Sequence, residues 1–139
     1  EITHKGGVLV IADGSYVKMY DSTATNNWAQ DSSFLEMVSC DGHESSLSGV
    51  TITQNRTKRL FEASEGIGTI KLLQCRLTVF NILLKSNLAE RYTPGIFVVL
   101  SKLTVEYADM LEQESEDAAA FLYSGAESEL RIRNSRMRL

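Results

Sequence analysis

Two long strand-patterned runs limit what this chain can fold into more than any other feature. "TIKLLQCRLTVFNILL" carries Ile70, Leu72, Leu77, Val79 and Ile82 among its apolar residues, and "IFVVLSKLTVEYA" follows it as the last strong strand pattern. Side chains that alternate apolar and polar mark a half-buried strand, because successive residues point to opposite faces. A strand as long as the first usually bends and serves two sides of a barrel. The chain is therefore expected to be mainly β.

The stretch from Phe34 to Val50, "FLEMVSCDGHESSLSGV", reads as two further strands joined at Asp41-Gly42. Gly42 can take positive φ and Asp41 tolerates a tight turn, so a hairpin is expected there. "SYVKMYD" reads as a first strand. "STATNNWAQDSS" reads as a polar loop holding the one tryptophan, Trp28. Two helices are expected. "THKGGVLVIA" has Thr3 as a possible N-cap and Gly14 as a stop, and "QNRTKRLFEASEG" could face a core with Leu60, Phe61 and Ala63. From Asp109 the pattern turns acidic and helix-compatible, ending in "RIRNSRMRL". The sequence shows no evident internal repeat.

This order matches a five-stranded OB-fold Greek-key barrel, with a short N-terminal helix and a helix between strands three and four. An α+β sandwich would show much the same pattern. The expected division is an OB-fold domain over residues 1–113 and a tail or linker over 114–139.

Composition agrees with one packed domain. The 139 residues are 43% hydrophobic and 23% charged, enough to bury about two-thirds of the unfolded surface. The apolar runs break well short of the ~20 residues a membrane helix needs. The opening has no signal-peptide pattern, and a chain beginning at Glu1 reads as a trimmed piece. Cys40 and Cys75 form no metal or redox motif, so reduced thiols in an intracellular protein are expected. The sequon Asn55-Arg56-Thr57 would matter only in a secreted protein.

Net charge is −4, and it is unevenly spread. Residues 1–53 sum to −5, residues 54–91 to +4, residues 92–130 to −7, and the last nine carry four arginines and no acid. An acidic chain is not the usual general nucleic-acid binder.

The residues resemble the N-terminal domain of the large subunit of replication protein A. "ITHKGGVLVI" looks like that domain's opening helix, and "FLEMVSCDG" is similar to its second strand, which closes on Ser-Asp-Gly. "VTITQN" is similar to the strand that runs into its helix. "LQCRLTVFNILLK" and "IFVVLSKLTV" look like its last two strands, and "YADMLEQ" like the segment leaving the barrel.

The resemblance implies a non-catalytic, nuclear protein-interaction module of a single-stranded-DNA-binding complex. Such a module takes acidic or amphipathic peptides of replication, repair and checkpoint proteins in a basic-rimmed groove, and its own DNA binding is weak. Other subunits of that complex would be met through regions outside this chain. Carried over position by position, the groove would use Ser48, Val50 and Thr53 from the third strand, Asn81 and Leu83 from the fourth, and Phe97 and Val99 from the fifth, with Lys85 and Arg91 as the rim. Apolar floor and cationic edge are what a helical acidic peptide requires. One departure stands out: Glu36 falls near where the family carries a basic side chain, so one wall of the basic groove is missing or inverted.

Two alternatives belong to other classes. One is an OB domain that binds single-stranded DNA directly, as a telomere-type relative would, with Trp28 stacking a base and Arg56 and Lys58 as a basic patch. The default for those residues is a tryptophan packed on the barrel and a solvated helix face. The other is a structural subunit-assembly domain. No cofactor is expected. His4 and His43 lack neighbours at ligand spacing, so no metal site is expected, and His43, Asp41 and Ser39 lie too close in sequence for a triad. The acidic tail with Phe121, Leu122 and Tyr123 could dock in such a groove or serve as a linker.

Overall fold

The computed structural model describes residues 9–29, 32–40, 42–57, 68–89, 95–115 and 121–138. The first turn holds β1 (Leu9–Ala12), β2 (Lys18–Tyr20), β3 (Thr23–Thr25) and β4 (Trp28–Ala29). The second repeats the order with β5 (Ser32–Val38), β6 (Glu44–Ser48), β7 (Thr51–Thr53) and β8 (Arg56–Thr57). The third holds β9 (Gly68–Leu73), β10 (Arg76–Lys85) and β11 (Leu88–Ala89), and the fourth β12 (Ile96–Val99), β13 (Lys102–Leu111) and β14 (Glu114–Ser115). The last strands are β15 (Leu122–Ser124), β16 (Glu129–Arg133) and β17 (Arg136–Arg138).

Each strand pairs in parallel with its counterpart one turn away. A first sheet runs β1-β5-β9-β12-β15, a second β16-β13-β10-β6-β2, with β3, β7 and β17 joining its other half, and a third β14-β11-β8-β4. The molecule is a parallel β-solenoid of about four turns. This corrects the expected OB-fold barrel. The two-residue period was legible, but period alone does not say which strands pair. A strand here bonds to the one a whole turn later and not to its neighbour in sequence.

The individual elements shift accordingly. No helix occurs among the described residues: Leu9–Ala12 is a strand, Arg56–Thr57 is a strand, and 122–138 forms three strands in place of a helical tail. The remainder of both expected helices, residues 3–8 and 58–66, lies outside the described residues. The expected hairpin does not form. Asp41 is outside the described residues, while Gly42 (φ 79°) stands in the corner that carries the chain from the first sheet to the second. The long run from Ile70 breaks at Gln74 (φ 55°), so β9 and β10 serve two sheets of the solenoid.

Inward rows build the core. Leu9, Leu35, Ile70, Ile96 and Leu122 stack in register in the first sheet. Met19, Leu47, Val79, Val105 and Ile132 do so in the second. Those in the middle turns are wholly buried, and each such side chain contributes about 1.5–3 kcal/mol.

The bends recur as rows of left-handed residues, such as Ser39, Gln74, Leu100 and Glu127, or Asn26, Gln54, Ser86 and Glu112. Holding a non-glycine residue there costs about 1–2 kcal/mol. The interturn ladder continues through them, with Gln74 N donating to Val99 O at 3.2 Å and Leu100 N to Ala126 O at 3.1 Å. These bonds pair bend amides with the next turn, which offsets the strain.

Two further devices fix the turns. Cys40 and Cys75 form a disulfide across adjacent turns, which corrects the expectation of reduced thiols; the stacked topology puts residues 35 apart in sequence side by side. The corner before the third sheet carries a ladder of side-chain amides. Asn27 Nδ2 donates to Asn55 Oδ1 at 2.8 Å, Asn55 Nδ2 to Asn87 Oδ1 at 3.0 Å, and Asn87 Nδ2 to Gln113 Oε1 at 3.2 Å. Asn55 and Asn87 are fully buried.

Candidate functional site

Because inward rows fill the core, function has to lie on the outward rows, and the second sheet presents the broadest set. One row runs Glu44, Arg76, Lys102, Glu129. The next runs Lys18, Ser46, Thr78, Thr104, Arg131, and a third Tyr20, Ser48, Phe80, Glu106, Arg133. Beyond the bend follow Thr23, Thr51, Leu83, Asp109, Arg136, then Thr25, Thr53, Lys85, Leu111, Arg138. With Asp21 at the bend, this face holds eight cations and five carboxylates, a balance of +3 on a chain of −4.

Four of the exposed large apolar side chains edge or stand on this face: Tyr16, Tyr20, Phe80 and Tyr107. Phe80 meets Tyr107 edge-on with centroids 5.3 Å apart, a geometry that fixes both rings. Tyr16 stacks on His43 at 6.0 Å, and Lys18 Nζ lies 5.9 Å from the Tyr16 ring. The floor between is hydroxyl-rich.

The charges are held by contacts along the stack. Lys102 and Arg131 both bind Glu129, at 2.9 and 2.7 Å. The Lys102 hydrogen bond, helped by Arg131, holds the Glu129 carboxyl below its ordinary value. Arg136 grips Asp109 through two nitrogens at 3.1 and 2.9 Å, the planar fork matching the carboxylate. Thr78 donates to Glu44 at 2.7 Å. A cleft of about 220 Å³ opens among Glu44, Arg76, Thr78, Lys102 and Thr104.

The residues expected to line one groove are dispersed. Ser48, Thr53, Leu83 and Lys85 do share this face, and Asn81 occupies its left-handed bend (φ 52°). Lys85 contacts Glu112 at 3.7 Å. Val50 points inward and is buried in the core. Phe97 and Val99 belong to the first sheet; Phe97 is 3% exposed and stacks on Tyr123 at 4.8 Å. Arg91 and Lys58 lie outside the described residues. Glu36 is no groove wall either: it is buried beside Lys71, 3.4 Å away.

Trp28 and Arg56 pair in register on the third sheet, lining a cleft of about 430 Å³ with Asn26, Gln54, Leu88 and Glu114. Trp28 is 46% exposed and does not pack back as expected of a loop residue. Among the described residues no group of His, Cys, Asp or Glu could hold a metal ion, and no helix is long and apolar enough to cross a membrane.

Sequence reasoning missed the outward rows because it found no repeat. The signal was present as Asn27-Trp28-Ala29, Asn55-Arg56-Thr57, Asn87-Leu88-Ala89 and Gln113-Glu114-Ser115, one per turn. No family model, curated protein or solved structure matches the chain.

Proposed function

We propose that the outer face of the second sheet binds an extended, hydroxyl-rich acidic polymer, of which an acidic polysaccharide is the simplest chemistry. The observation that carries this reading is the placement of exposed aromatics, hydroxyls and a local excess of cations on one broad face of an otherwise acidic chain. Aromatic faces take the apolar faces of sugar rings, hydroxyl and carboxylate side chains match sugar hydroxyls, and Arg76, Lys102 and the C-terminal arginines match acid groups. A stacked solenoid offers such a surface at regular spacing. The interspersed carboxylates at Glu44, Glu106, Asp109 and Glu129 suit a polymer with spaced charges better than one with a phosphate on every unit. The disulfide supports folding in an oxidising compartment.

The peptide-recruitment role implied by the resemblance to replication protein A rested on a barrel groove, whose residues fall here on different faces and in the core. It enters as an arm of the test. The 139-residue chain is titrated with an acidic hexamer of alternating uronate and neutral pyranose rings, a neutral β-1,4-glucan hexamer, a short oligothymidylate and an acidic amphipathic peptide, read by amide chemical shifts. Shifts on residues 76–83 and 102–107 with the acidic hexamer, weakening as salt rises, support the proposal. Shifts with the peptide or oligonucleotide alone overturn it.

A further inference from the structure

The outer row Tyr20, Ser48, Phe80 alternates a ring, a small hydroxyl and a ring over three successive turns. Adjacent strands lie about 4.8 Å apart, so the two aromatic positions stand roughly 9.5 Å apart with a gap between. Carbon contacts of 3.5–4.0 Å on both sides of an inserted ring require roughly 7–8 Å. The gap therefore takes one ring, with a small lean of either side chain. Tyr20 is 60% exposed and Phe80 46%, and Tyr107 braces Phe80 from the far side.

The floor is also specific. Gly49, in the left-handed region at φ 66°, lies under the Asp21 side chain, and a Cβ added there would collide with the Asp21 carboxylate. The bend thus brings an acceptor to the side of the gap, while Asp21 N donates to Ser48 O at 2.9 Å and keeps the two turns in register. Two ring walls, one hydroxyl and one carboxylate form a place for a flat-faced ring that carries hydroxyl donors and no charge beside Asp21.

From this arrangement we infer that the Tyr20–Ser48–Phe80 gap is a subsite for a single uncharged pyranose ring of the polymer. The inference rests on the polysaccharide reading of the face. Arg76, four residues before Phe80 on the same strand, is roughly 13 Å away, so acid groups of the same polymer would sit two to three sugars distant.

The test uses the full chain with Tyr20→Ala, Phe80→Ala and Ser48→Phe, the last filling the gap from an outward position. Unchanged thermal melts establish folding, and calorimetry with the two hexamers measures affinity. Each substitution should weaken binding about fivefold to tenfold, while Trp28→Ala leaves it unchanged. Wild-type hexamer binding that survives Ser48→Phe refutes the subsite and leaves the face standing. No binding of either hexamer to the wild type refutes both. Oligothymidylate binding lost in Tyr20→Ala, without saccharide binding, makes the gap a base site and also refutes the inference.

Discussion

Replacing Asn55 with alanine removes four hydrogen bonds from the centre of the amide ladder. Its Oδ1 accepts from Asn27 N at 2.9 Å and from Asn27 Nδ2 at 2.8 Å, and its Nδ2 donates to Ala24 O at 3.3 Å and Asn87 Oδ1 at 3.0 Å. Asn27 is half-buried, so water can reach its groups. The Ala24 carbonyl loses its side-chain donor, whereas Asn87 Oδ1 keeps the bond it accepts from Asn55 N at 3.0 Å. With about 0.5–1.5 kcal/mol for each of the four hydrogen bonds lost, Asn55→Ala should cost about 3–5 kcal/mol. Against a domain stability of 5–15 kcal/mol that is a large fraction. With an m-value near 2 kcal/mol/M, the urea midpoint of the full chain, followed by far-UV circular dichroism, falls by about 2 M.

Asn55→Asp separates hydrogen bonding from volume. The aspartate still accepts from Asn27, but ionised it turns oxygens toward Ala24 O and Asn87 Oδ1, so its folded pKa must rise. A raised acid pKa contributes stability below the unfolded value near 3.9, and that stability is lost as pH rises through the folded value. The variant should be at least as unstable as Asn55→Ala at pH 7 and recover toward pH 4. A loss below about 1 kcal/mol for alanine, or no pH recovery for aspartate, would refute the ladder as a stabilising element.

Four further outcomes follow from the same geometry. Cys40→Ser with Cys75→Ser should lower stability by about 4 kcal/mol, the closure entropy of a 35-residue loop, while keeping the fold, because Ser101 occupies the same corner one turn on; the urea midpoint measures it. Gly95→Ala should cost about 1–3 kcal/mol in the same assay, since its new methyl would meet the Phe121 carbonyl in the next turn. Thr57→Val should raise stability by about 1 kcal/mol, as the buried Thr57 hydroxyl has no hydrogen-bond partner among the described residues. The Glu129 carboxyl, lowered by Lys102 and Arg131, adds stability above the unfolded carboxylate value that disappears as pH falls below about 4.5; Lys102→Ala should move its NMR titration back toward the ordinary value, less so at high salt.

Strand character was legible where the inward rows are long, as in Leu77, Val79, Ile82 and Leu84, because alternation follows from a single buried face. Pairing was not. A two-residue period is the same whether a strand bonds to its neighbour or to a counterpart 26 or 35 residues away, and the uneven spacing between turns hides the repeat. Short strands such as β4 and β8 carry no period of their own, and their identity rests on Asn27 and Asn55 stacking through space. As a sequon, Asn55 would matter only in a secreted protein, whereas its side chain is wholly enclosed in the ladder. Of the residues expected to line a groove, Ser48, Thr53, Leu83 and Lys85 share a face for a reason other than an OB-fold register: each stands outward in an outer row of the solenoid. Tyr20 and Phe80 were invisible as a pair, since only stacking brings positions 60 apart into one row.

The division between inward and outward rows has a consequence for how this chain can change. Inward rows and the amide ladder set register turn by turn, and each turn contacts chiefly its neighbours, so stability is close to a sum of local terms. An outward substitution on the second sheet leaves those terms almost untouched, and a one-residue slip would instead turn every core side chain outward. Register is therefore held by Asn55, Asn87 and the Cys40–Cys75 bond, while Tyr20, Ser48, Phe80 and Arg76 are free to vary without disturbing it. Substitutions on that outer face should alter binding of the proposed polymer with stability nearly constant, and ladder substitutions should lower stability first and that binding only through it.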